Sequence, residues 1–309
     1  MKKNNTAAAQ NAQVVKENVV NCRQDFKMLI SVTNANLNGD PNAASARPRT
    51  DLNGYGLVTG ICIKHKIRQQ LVAMGEKIMI QTAQLATDGF TAIRDRIEAC
   101  EGYKDASLKE QGEIIKDNFI DARAFGFLAP KKGSNSGSVN GYGTITIGIG
   151  KSVSPVNVSI IGITKCANNE GNDKMGSDRC GEKAVVDFGL YEITGSVNPY
   201  FSAINGLTWD DLEKIKEAMI HMLENTGSEA RPQGSIRIEH FYWWDHRNSG
   251  EGKGMYPSAP AWAVHDSVVV KSKLGKDEIP TSMDDYTIEV KKLRNITAPV
   301  DLAYQKDFE

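Results

Sequence analysis

Ser31–Arg68, reading SVTNANLNGDPNAASARPRTDLNGYGLVTGICIKHKIR, is the stretch on which the fold turns. Leading into it, Phe26, Met28, Ile30 and Val32 alternate with Lys27, Leu29, Ser31 and Thr33, which places four apolar side chains on one face of a strand. The alternation then stops. Asn34 to Asn42 is dense in residues that bond their own backbone or tolerate positive φ, and it contains Pro41, so the chain must turn and present amide groups. From Leu57 to Met74 the period becomes helical: Ile63, Ile67, Leu71 and Met74 share one face, with Lys64, His65 and Arg68 opposite. A strand, a polar loop and a basic helix face follow one another.

A chain of 309 residues with 40% hydrophobic content can bury a core as one large domain or two modest ones. Lys plus Arg number 37 against 38 Asp plus Glu, so net charge selects neither nucleic acid nor membrane, and local charge has to decide. Between Pro41 and Gln70 stand five Lys or Arg and one acid, Asp51, the clearest basic patch of the amino-terminal third; a merely solvated helix face is the bland alternative. The five cysteines include no Cys-x-x-Cys pair, which fits a reducing cytoplasm. No apolar run approaches the roughly 18 residues of a membrane span, and the first residues lack the apolar segment of a secretory signal. Residues 1–24, rich in Ala, Asn and Gln, read as a flexible tail.

Further along, Leu108 to Leu128 reads as a helix with Ile115, Phe119 and Ala122 on one face, ended by Gly126 and Pro130; Asp121 and Arg123 either pair locally or Arg123 reaches a partner. Thr144–Gly150 and Val156–Thr164 read as strands, and Lys165–Lys183, rich in Asn, Gly, Asp and Lys, as an exposed excursion. Ala184–Thr194 is a strand; Thr208-Trp209-Asp210-Asp211 opens a helix whose buried stripe is Leu212, Ile215, Met219 and Met222. Ser235–Trp244 is a strand ending in Phe241-Tyr242-Trp243-Trp244, a consecutive aromatic run that points to burial on both faces more than to base stacking. Val264–Lys271 and Tyr286–Lys291 read as late strands. This order predicts an α+β fold, compatible with a ferredoxin-like βαββαβ core carrying large insertions.

Asn34, Asn36, Asn38 and Gly39 occupy the first, third, fifth and sixth places of an EF-hand-type loop, but the twelfth is Ser45 and no carboxylate stands at the first three ligand places, so a calcium site is excluded on charge. Asp40 is a lone acid in a turn without an evident base or metal set. The five histidines have no zinc-protease spacing, and neither a Gly-x-Ser-x-Gly nor a Gly-Lys-Ser/Thr element occurs, so no catalytic centre, metal or cofactor is expected. The aromatic motif of sheet-stacking RNA-binding domains is also missing; nucleic acid, if bound, would be held through its phosphates by loop amides and the basic helix, with little sequence preference and strong salt dependence. Lys64 and Arg68, four residues apart, point the same way, and with Lys66 and Arg49 they have the spacing to follow successive phosphates.

Asn36-Leu37-Asn38-Gly39-Asp40-Pro41, Arg47-Pro48-Arg49, and Gly56-Leu57-Val58-Thr59 leading into Cys62–Arg68 together resemble the opening of the backbone subunit of type I-C CRISPR Cascade, in the Cas-seven family. Asp121–Gly126, Ser154-Pro155-Val156, Val185–Tyr191 and Ser228-Glu229-Ala230-Arg231 are similar to later parts of it, and the resemblance runs from about Phe26 to the last strands. It implies a modified RNA-recognition fold shaped like a hand, with a palm over 25–309, a fingers-like helical insertion at about 75–143 and a thumb-like loop at about 165–183. It implies a non-catalytic subunit whose copies stack along CRISPR guide RNA in a helical filament. Its partners would be the target DNA strand paired to the guide, other Cascade subunits and a recruited nuclease-helicase, with no membrane. Asn38, Gly39, Arg49, Lys64, His65, Lys66, Arg68 and Arg231 would hold the guide, with Met175, Arg179 and Lys183 on the thumb. The enzymatic alternative is a type III-like backbone subunit that cuts bound target RNA through Asp40.

Overall fold

The computed structural model describes residues 18–130, 138–164, 179–248, 259–275, 278–293 and 296–303. The alternating segment forms β1 (Gln24–Ala35), at the middle of an eight-stranded sheet. On one side β1 pairs antiparallel with β9 (Ile236–Asp245), and on the other with β8 (Arg179–Val197). β8 is long enough to divide its pairing. Val186–Val197 lies against β1, while its opposite edge takes in turn β5 (Ile145–Ile147), β6 (Gly150–Pro155) and β7 (Val158–Thr164). β2 (Tyr55–Val58) pairs with β6, and β12 (Val300–Asp301) with β9. The central order is therefore β9-β1-β8-β6, each neighbour antiparallel.

Two helices cover one face. α1 (Gly60–Ala73) and α6 (Trp209–His221), the latter preceded by the short α5 (Pro199–Asn205), pack together and press Ile63, Ile67, Leu71, Leu212, Ile215 and Met219 against Phe26, Met28, Ile30 and Val32, all essentially without solvent exposure. Both apolar stripes therefore emerge as the 3.6-residue period requires. α6 begins with a capping box in which the Thr208 hydroxyl accepts from Asp211 N and the Asp211 carboxylate accepts from Thr208 N. Gly195 is needed where it stands, because a Cβ there would collide with the Phe26 ring, which stacks on Trp243 at 5.4 Å.

The second face of the sheet is also covered. Lys27, Leu29 and Ser31, the other half of the β1 alternation, are buried, because α7 (Ala261–His265), β10 (Val268–Ser272) and β11 (Tyr286–Val290) close over them. Val264, Val268 and Tyr286 pack there against Leu29, Leu190, Tyr242 and Trp244. Lys27 is tied across the seam, donating to Val268 O at 2.8 Å and paired with Glu192. The aromatic run on β9 alternates as its spacing implies, Phe241 and Trp243 facing the helices and Tyr242 and Trp244 facing this module.

A third, smaller core holds the insertion between α1 and β5: α2 (Ile93–Glu98), α3 (Leu108–Asn118), α4 (Ile120–Phe125), β3 (Gly126–Pro130) and β4 (Ser138–Tyr142). The single helix expected over Leu108–Leu128 is in fact α3, a break and α4. Phe119 is extended (φ −127°, ψ 117°), and Ile120 N donates outside the helix to Lys77 O. The expected strand Thr144–Gly150 shrinks to β5, and β6 follows it. The strand expected from Val264 starts only at Val268, after the turn of helix that Pro260 opens. Within the stretch read as a tail, Val20 and Cys22 are buried and Val20 N donates to Leu207 O. Most of the thumb-like excursion, Met175 included, lies outside the described residues.

Candidate nucleic-acid interface

The polar loop folds back on itself before it reaches α1. Asn34 takes φ 50°, the left-handed conformation its side chain tolerates, and Asn36 N then donates to Ala230 O, which brings the Ser228–Arg231 turn beside the end of β1. The Asn36 amide donates to Ala46 O at 2.7 Å. Gly39 runs so close to that same carbonyl that a Cβ would stand 2.6 Å from it. Asn38 accepts from both Thr59 N and Thr59 Oγ1, at 2.9 and 3.0 Å, and the Thr59 hydroxyl in turn caps α1 by accepting from Cys62 N. The Asn38 side chain is thus spent inside the protein, fixing the loop to the first turn of the basic helix.

On one flank of α1 the cations collect with little compensation among the described residues. Lys66 is buried, with its ammonium 3.5 Å from the Thr226 hydroxyl. Burial, with the Arg231 charge adding to it, pushes Lys66 down from 10.5 to about 8. Burial raises the Cys62 thiol, and the charges of Lys66, Arg231 and Arg49 oppose that rise. Exposed His65 is lowered by desolvation first and then by Lys66, Arg68 and Arg231. Arg49, His65, Lys66 and Arg231 therefore share one electrostatic neighbourhood. Asp40, 3.5 Å from the Arg49 guanidinium, is the carboxylate paired with a member of the group among the described residues. Asp40 also accepts from Asn42 N, as a turn-forming aspartate does. Arg49 Nε and Asn36 Oδ1 are buried with no hydrogen-bond partner.

On the other flank the charges are consumed. Lys64 and Arg68 do point the same way, as their spacing requires, but onto the Phe125 ring, at 5.5 and 5.2 Å from its centre. Arg68 Nε then donates to Asp121 Oδ2 at 2.8 Å, and the same carboxylate accepts from Met79 N and Ile80 N. Asp121 and Arg123 do not pair with each other. Arg123 instead holds Asp211 through two bonds of 2.9 and 2.7 Å, which ties the insertion to α6. The side chain of Arg179 lies outside the described part, and Lys183 stands on β8 opposite Ile161 of β7. The residues that sequence reasoning missed are Asp121 as the partner of Arg68, Phe125 as its platform, and Thr226 beside Lys66. None lies near its partner in sequence, and the Asp121–Phe125 run was their one visible signal.

A family model described as CRISPR-associated protein Cas7 matches residues 22–291. The chain is also similar to a chain of a solved structure described as "CRISPR RNA-guided surveillance complex, pre-nicking", at 13% identity and TM-score 0.44, covering 72% of this chain and 77% of that one. A second, described as "CRISPR RNA-guided surveillance complex", is similar at 14% identity and TM-score 0.38, covering 72% of this chain and 68% of that one. No curated protein sequence matches.

Proposed function

The chain belongs to the family of CRISPR-associated protein Cas7, and on that premise we propose that it is a non-catalytic backbone subunit of type I-C Cascade that binds guide RNA through its phosphates. The observation that carries this reading is the cation group Arg49, His65, Lys66 and Arg231, in which Asp40 beside Arg49 is the one paired carboxylate among the described residues. Keeping Lys66 buried without a carboxylate among the described residues works against stability, and an anionic strand alongside is the simplest compensation. The central strand order β9-β1-β8-β6, with α1 and α6 on one face, supports a ferredoxin-like, modified RNA-recognition palm. Because α7, β10 and β11 cover the second face, the strand would run over the loop and helix and not across the sheet.

In this reading the insertion at 75–143 corresponds to the fingers and 165–183 to the thumb. Copies of the chain would line up along one guide beside the other Cascade subunits, and the guide would pair with target DNA that a recruited nuclease-helicase destroys. The type I-C assignment rests on the Asn36–Pro41 and Arg47–Arg49 pattern. Cleavage through Asp40 is disfavoured by its engagement with Arg49 and Asn42 N.

Co-expressed with its CRISPR array and companion subunits, the chain should purify with guide-length RNA in several copies per particle. A nucleic-acid-free monomer would overturn the reading. The same particle given complementary RNA and magnesium should leave that RNA intact; regular cuts abolished by Asp40→Ala would restore the enzymatic alternative.

A further inference from the structure

Between the end of α6 and the start of β9 the chain passes along the cation flank of α1 and brings both Thr226 and Arg231 to it. Thr226 is buried there. Its hydroxyl donates to Met222 O and Leu223 O, each at 3.3 Å, so the lone pairs of the same oxygen are left for the Lys66 ammonium, which donates to it at 3.5 Å. The hydroxyl is therefore held in one sense. The Thr226 carbonyl takes the other cation, accepting from Arg231 Nε at 3.4 Å. On one side of Thr226, Asn225 donates to Gln70 Oε1 of α1 at 2.8 Å; on the other, Ser228 and Arg231 exchange two backbone bonds and Ala230 O accepts from Asn36 N. One residue touches both cations, and its neighbours tie it to the helix and to the loop.

We infer that Thr226 is the positioning residue of this site: its hydroxyl keeps the Lys66 ammonium charged inside the protein, and its carbonyl orients the Arg231 guanidinium for the strand. The inference rests on the proposed function. With Nε spent on Thr226 O, the two terminal nitrogens of half-exposed Arg231 are left as a planar fork that matches one phosphate. Lys66 is buried and adds its charge from beneath the surface. Burial is what threatens that charge, and among the described residues the Thr226 hydroxyl is the one acceptor its ammonium has. Cys62 and Arg231 act on Lys66 directly, His65 of α1 and Arg49 of the loop stand in the same neighbourhood, and α6 sends it no ion pair among the described residues. None of these neighbours is an anion that could replace the hydroxyl while Cys62 stays a thiol, and burial holds it in that form.

The test measures the affinity of the full chain for a fluorescent oligouridylate across roughly pH 6 to 10. Wild-type affinity should begin to fall at about pH 8, where Lys66 loses its proton. Thr226→Val keeps the shape but removes the acceptor, so the fall should begin about half a unit lower, and affinity at the acid end should be weaker by about threefold because Arg231 is less well held. Thr226→Ser should restore both. A role in folding alone would weaken binding by one factor at every pH and leave the onset where it is in the wild type. If Thr226→Val does not fold, Asn225→Ala, which loosens Thr226 from α1 at an exposed position, decides in the same way, with a lowered onset expected. An unchanged onset, or a serine variant no better than the valine one, overturns the positioning role while the RNA binding of the wild type stands. If the wild-type chain binds no RNA at all, the proposed function fails and this inference fails with it.

Discussion

On one flank of α1, Lys64 and Arg68 lie over Phe125 and Arg68 is closed off by Asp121; on the other, Lys66 sits among Arg49, His65 and Arg231 with a threonine hydroxyl for company. In sequence their members on α1, Lys64 and Arg68 against His65 and Lys66, interleave within five residues and look alike. What separates them is what the rest of the chain brings up. The insertion delivers a buried carboxylate to the first flank, and the Ser228–Arg231 turn delivers another cation to the second. The first flank thereby ties α1 to the insertion, and the second gathers cations with only Asp40 paired to one of them among the described residues.

The largest effect expected from this contrast is on stability. Asp121→Ala removes the partner of Arg68 and strips the acceptor from Met79 N and Ile80 N, which should cost about 3–5 kcal/mol in urea unfolding. RNA affinity, measured on the folded fraction, should not fall, because a cation is released and none is lost. A loss below about 1 kcal/mol would place Arg68 in the same free state as Lys66 and erase the contrast.

Lys66→Met tests the opposite flank and should act in the opposite direction. The folded chain holds Lys66 at about 8 against 10.5 for the free side chain, so the unfolded state binds the proton more tightly. Stability therefore rises with pH between those values: the cost is in full force below about pH 8 and is relieved as pH climbs toward 10.5. Up to about 3 kcal/mol should be recovered at pH 7 by the substitution, while the slope of log affinity against log salt should flatten by roughly 0.7. Wild-type RNA affinity should weaken as pH rises through 8, and that of Lys66→Met should not. A destabilised Lys66→Met would show that the ammonium is satisfied internally.

Away from both flanks, Asp25 gives a control of the other sign. It is fully buried; burial alone would raise it, but hydrogen bonds from His246, Arg23 and Ser196 hold it at about 2 against 3.8. Its contribution is complete above pH 3.8 and disappears as pH falls toward 2, and it amounts to about 2.5 kcal/mol. Asp25→Asn should remove that acid-limb dependence in pH-scanned unfolding and leave the Lys66 limb untouched.

The parts of this arrangement that were legible in sequence are those set by local rules. The β1 alternation, the α1 and α6 stripes, the Thr208 cap and the two-sided burial of Phe241–Trp244 all follow from period or from a side chain reaching three residues along. The parts not legible depend on distant pairing. Arg68 and Asp121 are 53 residues apart, and nothing in either segment says that they meet. Division of β8 among three partners on one edge requires knowing the register first. The cover over the second sheet face comes from residues beyond 259, although Leu29, Tyr242 and Trp244, set on that face among the polar Lys27 and Ser31, were a usable hint that it would not be open to solvent. For the cations, i to i+4 geometry gave the direction of Lys64 and Arg68 correctly. It could not give what lay in that direction.

Lys64 provides the smallest and most discriminating effect, because it lies on the consumed flank yet has no carboxylate of its own among the described residues. It is half-buried and lowered by desolvation and then by Arg68, and its ammonium faces the Phe125 ring. Lys64→Ala should therefore cost only about 0.5 kcal/mol of stability, the value of a partly exposed cation over an aromatic face. If Lys64 also reaches a phosphate, the salt slope should fall by roughly 0.7. Lys64→Ala combined with Arg68→Ala would flatten the slope by about twice that if spacing alone governed. With Arg68 neutralised by Asp121, the double variant should instead match the single one in slope while unfolding at much lower urea. Salt titrations on two RNAs of unrelated sequence decide between these outcomes, since phosphate contacts weaken both equally. A double variant that loses the full additional increment would mean that the Arg68–Asp121 pair opens when the strand arrives, and the two flanks of α1 would then act as one surface.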